Sequence, residues 1–169
     1  MPDQEDNGTT AFSTDAEARF QALLARYPDR RSVLVPALRI AVSDFGFLSR
    51  EAMTYLAGRL EVPEAVVLNT ASFYTMLHTH PVGRHHLEVC RNVACHLRGG
   101  DSLVEHLTHR LGIGPGEVTQ DGRFSLETVE CLAACGNAPS IRVDGRYHEN
   151  VTPESIDDLL ATLGLGMES

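Results

Sequence analysis

All four cysteines of this chain fall in two short stretches, and that placement constrains the fold more than any other feature. The first stretch is Val89-Cys90-Arg91-Asn92-Val93-Ala94-Cys95-His96. The second is Glu130-Cys131-Leu132-Ala133-Ala134-Cys135-Gly136-Asn137-Ala138-Pro139. Four residues separate the first pair, three separate the second, and 35 lie between the pairs. Unrelated core cysteines have no reason to gather in two close pairs. If both pairs serve one centre, the fold must bring two distant loops together.

A [2Fe–2S] cluster takes four ligands, two on each iron, and soft, charged thiolates suit ferric iron. Four intervening residues leave a loop wide enough to pass around a cluster edge. A single-metal knuckle is tighter, with two residues between its cysteines, and neither pair here has two. Four cysteines also permit a disulfide framework, but no signal peptide is visible and reducing cytosol disfavours disulfides. A thioredoxin-like redox motif needs two intervening residues and is absent. A Rieske centre needs two histidine ligands, one placed two residues after a cysteine, whereas His96 directly follows Cys95. The spacing favours a [2Fe–2S] cluster and leaves a zinc-stabilised structural site open as the alternative.

The 169 residues are 43% hydrophobic, enough for one sizeable core or two small packed units. A net charge of −9 makes nucleic acid and anionic membrane poor partners. No apolar run approaches the ~18 residues of a membrane span. The expectation is a cytosolic chain that meets a membrane only through a complex.

Taken in order, residues 1–12 are polar and acidic without periodicity and read as a disordered tail. Thr14-Asp15-Ala16-Glu17 has the form of a capping box, and Phe20, Leu23, Leu24 and Tyr27 follow at helical spacing. A second helix is expected from Ser32 to Phe45, with Pro36 in or near its first turn and Gly46 at its end. Ser49 caps a third helix, and Pro63 suits the first position of a fourth that continues to about Thr70. Thr70 to Leu77 reads as an apolar connector.

His85, Leu87 and Val89 then alternate with His86 and Glu88, as in a half-buried strand that delivers Cys90. Leu103, Val104, Leu107 and Leu111 mark a helix ended by Gly112, its start blurred by Gly99-Gly100. Gly112 to Gly122 reads as a turn-rich loop, and Phe124 to Glu130 as a second strand delivering Cys131. Asp144-Gly145 signals a hairpin between Ser140–Val143 and Arg146–Asn150. Thr152-Pro153-Glu154 opens a last helix bearing Ile156, Leu159, Leu160 and Leu163. The second half thus reads β-α-β-β-β-α, with each cysteine pair at or just beyond the end of a strand.

At these residues the chain resembles the NuoE-type [2Fe–2S] subunit of bacterial NADH:quinone oxidoreductase (respiratory complex I). The resemblance is carried by Tyr27-Pro28-Asp29-Arg30-Arg31-Ser32, Thr70-Ala71-Ser72-Phe73-Tyr74-Thr75-Met76, Pro81-Val82-Gly83, both cysteine stretches, Asp121-Gly122-Arg123-Phe124 and Asn150-Val151-Thr152-Pro153-Glu154. It implies an α+β fold: an N-terminal helical bundle (13–78) followed by a thioredoxin-like [2Fe–2S] ferredoxin domain (79–165). It implies one [2Fe–2S] cluster on the iron-binding thiolates of Cys90, Cys95, Cys131 and Cys135, with no catalytic residue in the chain.

The partner it implies is a flavoprotein subunit that binds NADH and FMN and carries a [4Fe–4S] cluster, beside other peripheral-arm subunits. It implies no nucleic acid partner and no direct membrane contact. The location it implies is the cytoplasmic side of the inner membrane. NAD-reducing hydrogenases and NAD-dependent formate dehydrogenases carry similar subunits and are the alternative assemblies. The chain itself has no Gly-x-Gly-x-x-Gly fingerprint for a dinucleotide. Two departures from the family pattern stand out. Thr70-Ala71-Ser72 replaces Val-Ala-Thr, and Leu132-Ala133-Ala134-Cys135 replaces Leu-Gly-Ala-Cys. Both exchange small residues and bear on close packing more than on ligation.

Around the cysteines, Arg91 and Arg98 are candidate cations for an anionic cluster. Backbone N–H groups near Cys95 and Cys135 are the better candidates, because small residues let the backbone approach sulfur. Pro139 occupies the position that often holds a cis proline in thioredoxin-like folds. His85 and His86 point to opposite strand faces, and His106 and His109 are expected on a solvated helix face. Phe73-Tyr74 reads equally as a flavoprotein contact or as interdomain packing.

Overall fold

The computed structural model describes residues 10–165, and the chain divides into two compact units, Met1–Pro81 and Val82–Ser169. The expected tail lies outside the described residues up to position 9. Its last residue does not behave as tail: Phe12 packs against Phe20, Phe45 and Tyr55, each with ring centroids 5.4 Å away.

The first unit holds α1 (Thr14–Arg26), a 3-10 turn at Arg31–Val33, α2 (Leu34–Phe45), α3 (Arg50–Leu60) and α4 (Glu64–Phe73). The cap of α1 is Ser13, one residue before the box read from sequence, and its hydroxyl accepts from the Ala16 N–H. Glu17 is free for another task and binds Arg59 of α3. Pro36 falls in the first turn of α2, where its missing N–H has no helical partner to lose. Gly46 ends that helix at φ +86°. Pro63 is the residue before α4, and α4 runs on to Phe73, so half of the expected connector is helix. Phe20, Leu38, Leu48, Leu56 and Leu60 are fully enclosed in this unit's core. Burying one such side chain stabilises by roughly 1.5–3 kcal/mol.

The second unit is a five-stranded mixed sheet in the order β2-β3-β1-β4-β5. Its strands are β1 (His85–Cys90), β2 (Glu117–Val118), β3 (Phe124–Val129), β4 (Ile141–Val143) and β5 (Arg146–His148). β1 and β3 run parallel, and the other pairings are antiparallel. The helices are α5 (Val93–Leu97), α6 (Gly100–Leu111) and α7 (Pro153–Thr162). The single helix expected after Cys95 is two, broken where Gly99 turns left-handed at φ +92°. The loop from Gly112 to Gly122 contains β2, too short to show a period in sequence. Asp144 (φ +49°) and Gly145 (φ +79°) make the hairpin turn between β4 and β5. Thr152 and Ser155 close a capping box on α7.

Leu87 and Val89, Phe124 and Leu126, and Ile141 and Val143 form one sheet face with Leu103, Leu107, Ile156 and Leu160 from α6 and α7. His106 is half-buried, its Nε2 meeting Asp157 Oδ1 of α7 at 2.9 Å, while His109 on the same helix is exposed as expected. The opposite face carries His86, Glu88 and Cys90. β1 is buried on both faces instead of one, as suits the central strand of a sheet. Its polar residues there are satisfied by neighbours. His86 Nδ1 lies 2.8 Å from Ser125 Oγ, and the Glu88 carboxylate accepts two bonds from the Arg142 guanidinium.

Candidate metal centre

The parallel strands β1 and β3 end together at one edge of the sheet. Cys90 is the last residue of β1, in register with Val129, the last of β3. The backbone then ties the two loops to each other: the Arg91 N–H donates to the Val129 carbonyl at 3.0 Å. On the other side of β1 the register Glu88↔Arg142, Val89↔Ile141 continues one step, so that the Cys90 N–H donates to the Ser140 carbonyl at 3.2 Å. Three chain segments therefore meet at Cys90.

After Cys90 the chain turns at Asn92, whose side chain accepts the Val93 N–H, and the short α5 carries Cys95 inward. Gly100, the first residue of α6, closes this loop from behind. A β-carbon there would lie 2.9 Å from the Cys95 carbonyl oxygen and 3.2 Å from that of Cys90. Only glycine fits this approach.

The second loop leaves β3 at Glu130 and passes Cys131, Leu132 and Ala133. Ala133 stands in the left-handed region at φ +59°, which lets its N–H donate to Cys131 Sγ at 3.3 Å. The departure from glycine at this position thus concerns backbone conformation, at a cost of about 1 kcal/mol, not close packing. Cys135 begins a 3-10 turn ending at Asn137, whose carbonyl accepts the Asn150 N–H at 2.7 Å. The Ala138–Pro139 peptide is cis, and Ser140 follows.

Cys90 and Cys95 are buried, while Cys131 and Cys135 are exposed, and all four are free thiols. The second loop reaches the first pair directly: Glu130 O lies 4.0 Å from Cys90 Sγ, and the Leu132 N–H bonds to the same sulfur. Burial opposes ionisation of Cys90, but N–H groups of Asn92 and Leu132, with the Cys95 and Ser140 side chains, outweigh it and lower its pKa. Cys95 goes the other way, raised by burial and by the neighbouring Cys90, against the opposing pull of Ser140. Among the described residues no three of the four sulfurs lie within 4.8 Å of one another. The N–H donors fit the negative charge of a group held by thiolates.

Arg91 and Arg98 are both exposed, and neither is among the groups that act on the Cys90 and Cys95 sulfurs. Backbone N–H groups face the cysteine sulfurs instead, those of Asn92, Leu132, Ala133 and Ser140. Two histidines on the strand and helix that carry Cys90 and Cys95 pair with carboxylates instead. His85 and His96 pair with Asp144 and Asp101 at 2.7 and 2.8 Å. Sequence reasoning missed Ser140, although its place after Pro139 and opposite the end of β1 was the available signal. It also left Gly100 as an uncertainty about a helix start.

A thioredoxin-like α+β unit with two paired-cysteine loops at one sheet edge defines a class of iron–sulfur carrier. The chain belongs to the thioredoxin-like [2Fe–2S] ferredoxin family, whose pattern matches residues 20–164, and the family's cofactor is one [2Fe–2S] cluster. The second E-type subunit of the NADH-quinone oxidoreductase of Rhizobium meliloti is 47% identical over 140 residues, 83% of each chain. The E-type subunit from Rickettsia bellii is 37% identical over 91% of this chain and 95% of its own. The corresponding second subunit of the Thermus thermophilus enzyme is 39% identical over 92% and 87%. Among solved structures, an NAD+-reducing [NiFe]-hydrogenase in the H2-reduced state superposes with a TM-score of 0.69 at 28% identity. That match covers 78% of this chain and only 22% of the hydrogenase chain.

Proposed function

We propose that this chain is the [2Fe–2S] electron-carrying subunit of the NADH-oxidising module of an NADH:quinone oxidoreductase. The observation that carries this reading is the meeting of the two cysteine loops at Cys90, with N–H donors aimed at the sulfurs. In this reading Cys90 and Cys95 form the buried side of the centre, and Cys131 and Cys135 the exposed side. The bound cluster supplies one-electron transfer. The chain's own contribution is to hold four thiolates in place and to offset added negative charge with the N–H groups of Asn92, Leu132, Ala133 and Ser140.

The electron donor in this reading is a partner flavoprotein subunit that binds NADH and FMN and carries a [4Fe–4S] cluster. Two features support a partner. Val93 and Leu97, one turn apart on α5 beside Cys95, are 67% and 77% exposed. In the first unit Phe73 is 76% exposed. The isolated chain has no catalytic residue and no NADH oxidation of its own. No helix among the described residues is long and apolar enough to cross a membrane. We assign the chain to the cytoplasmic side of the inner membrane, held there by the assembly. The hydrogenase likeness supports a second reading as the equivalent subunit of an NAD-reducing hydrogenase; a formate dehydrogenase is the third assembly. The higher identities to the quinone oxidoreductase subunits favour the first.

The test is purification of the tagged chain with its native partners, followed by addition of NADH under anaerobic conditions. The expected result is co-purification of an FMN protein and an EPR signal of a reduced [2Fe–2S] centre that requires it. Co-purification with a nickel or molybdenum enzyme would replace the assembly named here.

A further inference from the structure

Ser140 is a buried residue beside the cysteines that ligation does not use. It is 1% exposed, and three of its groups face the cysteines. Its carbonyl accepts the Cys90 N–H at 3.2 Å. Its N–H bonds to the Cys95 sulfur, and its Oγ lies 3.6 Å from the same sulfur while also reaching that of Cys90. In the metal-free chain either the hydroxyl or the Cys95 thiol can be the donor. A metal-bound Cys95 is a thiolate without a proton, so the hydroxyl must then donate.

We propose that Ser140 is a positioning residue that tunes the centre, its buried hydroxyl donating to the Cys95 thiolate and so favouring the reduced state. This rests on the [2Fe–2S] reading above. A hydrogen bond to a ligand sulfur strengthens as the group it ligates gains negative charge, so it raises the reduction potential. The bond can act because Ser140 is fixed twice over. The β1–β4 ladder holds its backbone opposite Cys90, and the Val151 N–H holds the Pro139 carbonyl before it at 3.0 Å. Exclusion of water leaves no solvent proton to replace the hydroxyl if it is removed.

The test compares wild type, Ser140→Ala and Ser140→Thr as full chains reconstituted with iron and sulfide. Each is titrated with dithionite through redox mediators and followed by EPR. Ser140→Ala is expected to weaken one-electron reduction three- to tenfold, the upper limit being ~59 mV, with iron content unchanged. Ser140→Thr, which keeps the hydroxyl, is expected to lie close to wild type. An alanine chain with the wild-type potential overturns the proposal, as does a threonine chain shifted as far as alanine. An alanine chain that holds no cluster overturns it too, since the role is then structural. A wild-type chain without a [2Fe–2S] spectrum is a separate failure, that of the cluster reading itself.

Discussion

Gly100→Ala puts the packing behind the first cysteine loop to a direct test. The substitution has two opposed effects. Gly100 opens α6, and alanine in a helix gains up to ~1 kcal/mol over glycine. Against this, the added carbon would stand 2.9 Å from Cys95 O, 3.1 Å from Cys95 C and 3.2 Å from Cys90 O. All three are backbone atoms and cannot swing aside as a side chain can. Overpacking of this kind costs roughly 1–3 kcal/mol, so the clash wins and the variant loses ~1–2 kcal/mol. The strain falls on the loop that carries two of the four sulfurs. Gly58→Ala is the matched control: it lies inside α3 with nothing within 4 Å of the added carbon, so only the helical gain remains. Thermal melting of the metal-free chains should show Gly100→Ala ~2–8 °C below wild type, at ~2–4 °C per kcal/mol, and Gly58→Ala slightly above it. After reconstitution, Gly100→Ala should hold less iron per chain. A Gly100→Ala chain that melts at or above wild type and binds full iron would refute the close approach.

Glu17 is held by both terminal nitrogens of Arg59, at 2.8 and 2.6 Å, and the hydrogen bonds from Arg59 and then Gln21 lower its pKa from the ordinary 4.5 to about 2. A depressed carboxyl stabilises the fold fully above its unfolded pKa and loses that contribution as pH falls toward 2. Glu17→Gln should therefore destabilise the fold at neutral pH, by ~1 kcal/mol or less because the pair is about a third exposed, and lower the melting temperature accordingly. The gap to wild type should close on acidification; a gap independent of pH would contradict the pairing. Arg142→Met strands the Glu88 carboxylate, 3% exposed, on the buried polar face of the sheet. Denaturant titration should show a loss of ~3–5 kcal/mol, largely recovered by adding Glu88→Gln; an unchanged midpoint in the single variant would rule the ion pair unimportant. Cys131→Ala should abolish the cluster spectrum, and an intact spectrum would remove Cys131 from the ligand set.

Much of the fold was legible because local signals agreed with the tertiary result. Gly46, Ser49, Gly112, Asp144-Gly145 and Thr152-Pro153 ended or opened elements where their chemistry predicts. The misses have physical causes. Ser13 and Thr14 are both good caps, and long-range contacts decide between them: Asp44 holds the Ser13 N–H and hydroxyl, and Arg59 holds Glu17. β2 has two residues, too few for any period, and exists because β3 offers it an edge. β1 alternates polar and apolar residues yet is buried on both faces, since Arg142 and Ser125 satisfy its polar side from neighbouring strands. At the site, the cysteine spacing pointed to the chemistry, but the donors that face the sulfurs are mostly backbone N–H groups. These have no residue identity to read. Ser140 is the exception, and only strand register shows that it faces Cys90.

Mössbauer and EPR spectroscopy of the purified, iron-reconstituted chain test the shared two-iron centre most directly. The expected result is two irons and two sulfides per chain, with one unpaired electron per two irons after one-electron reduction. That signal should be lost when any one of Cys90, Cys95, Cys131 or Cys135 is replaced by alanine. One zinc per chain with no reducible centre, or a full spectrum surviving loss of one of these cysteines, would contradict it.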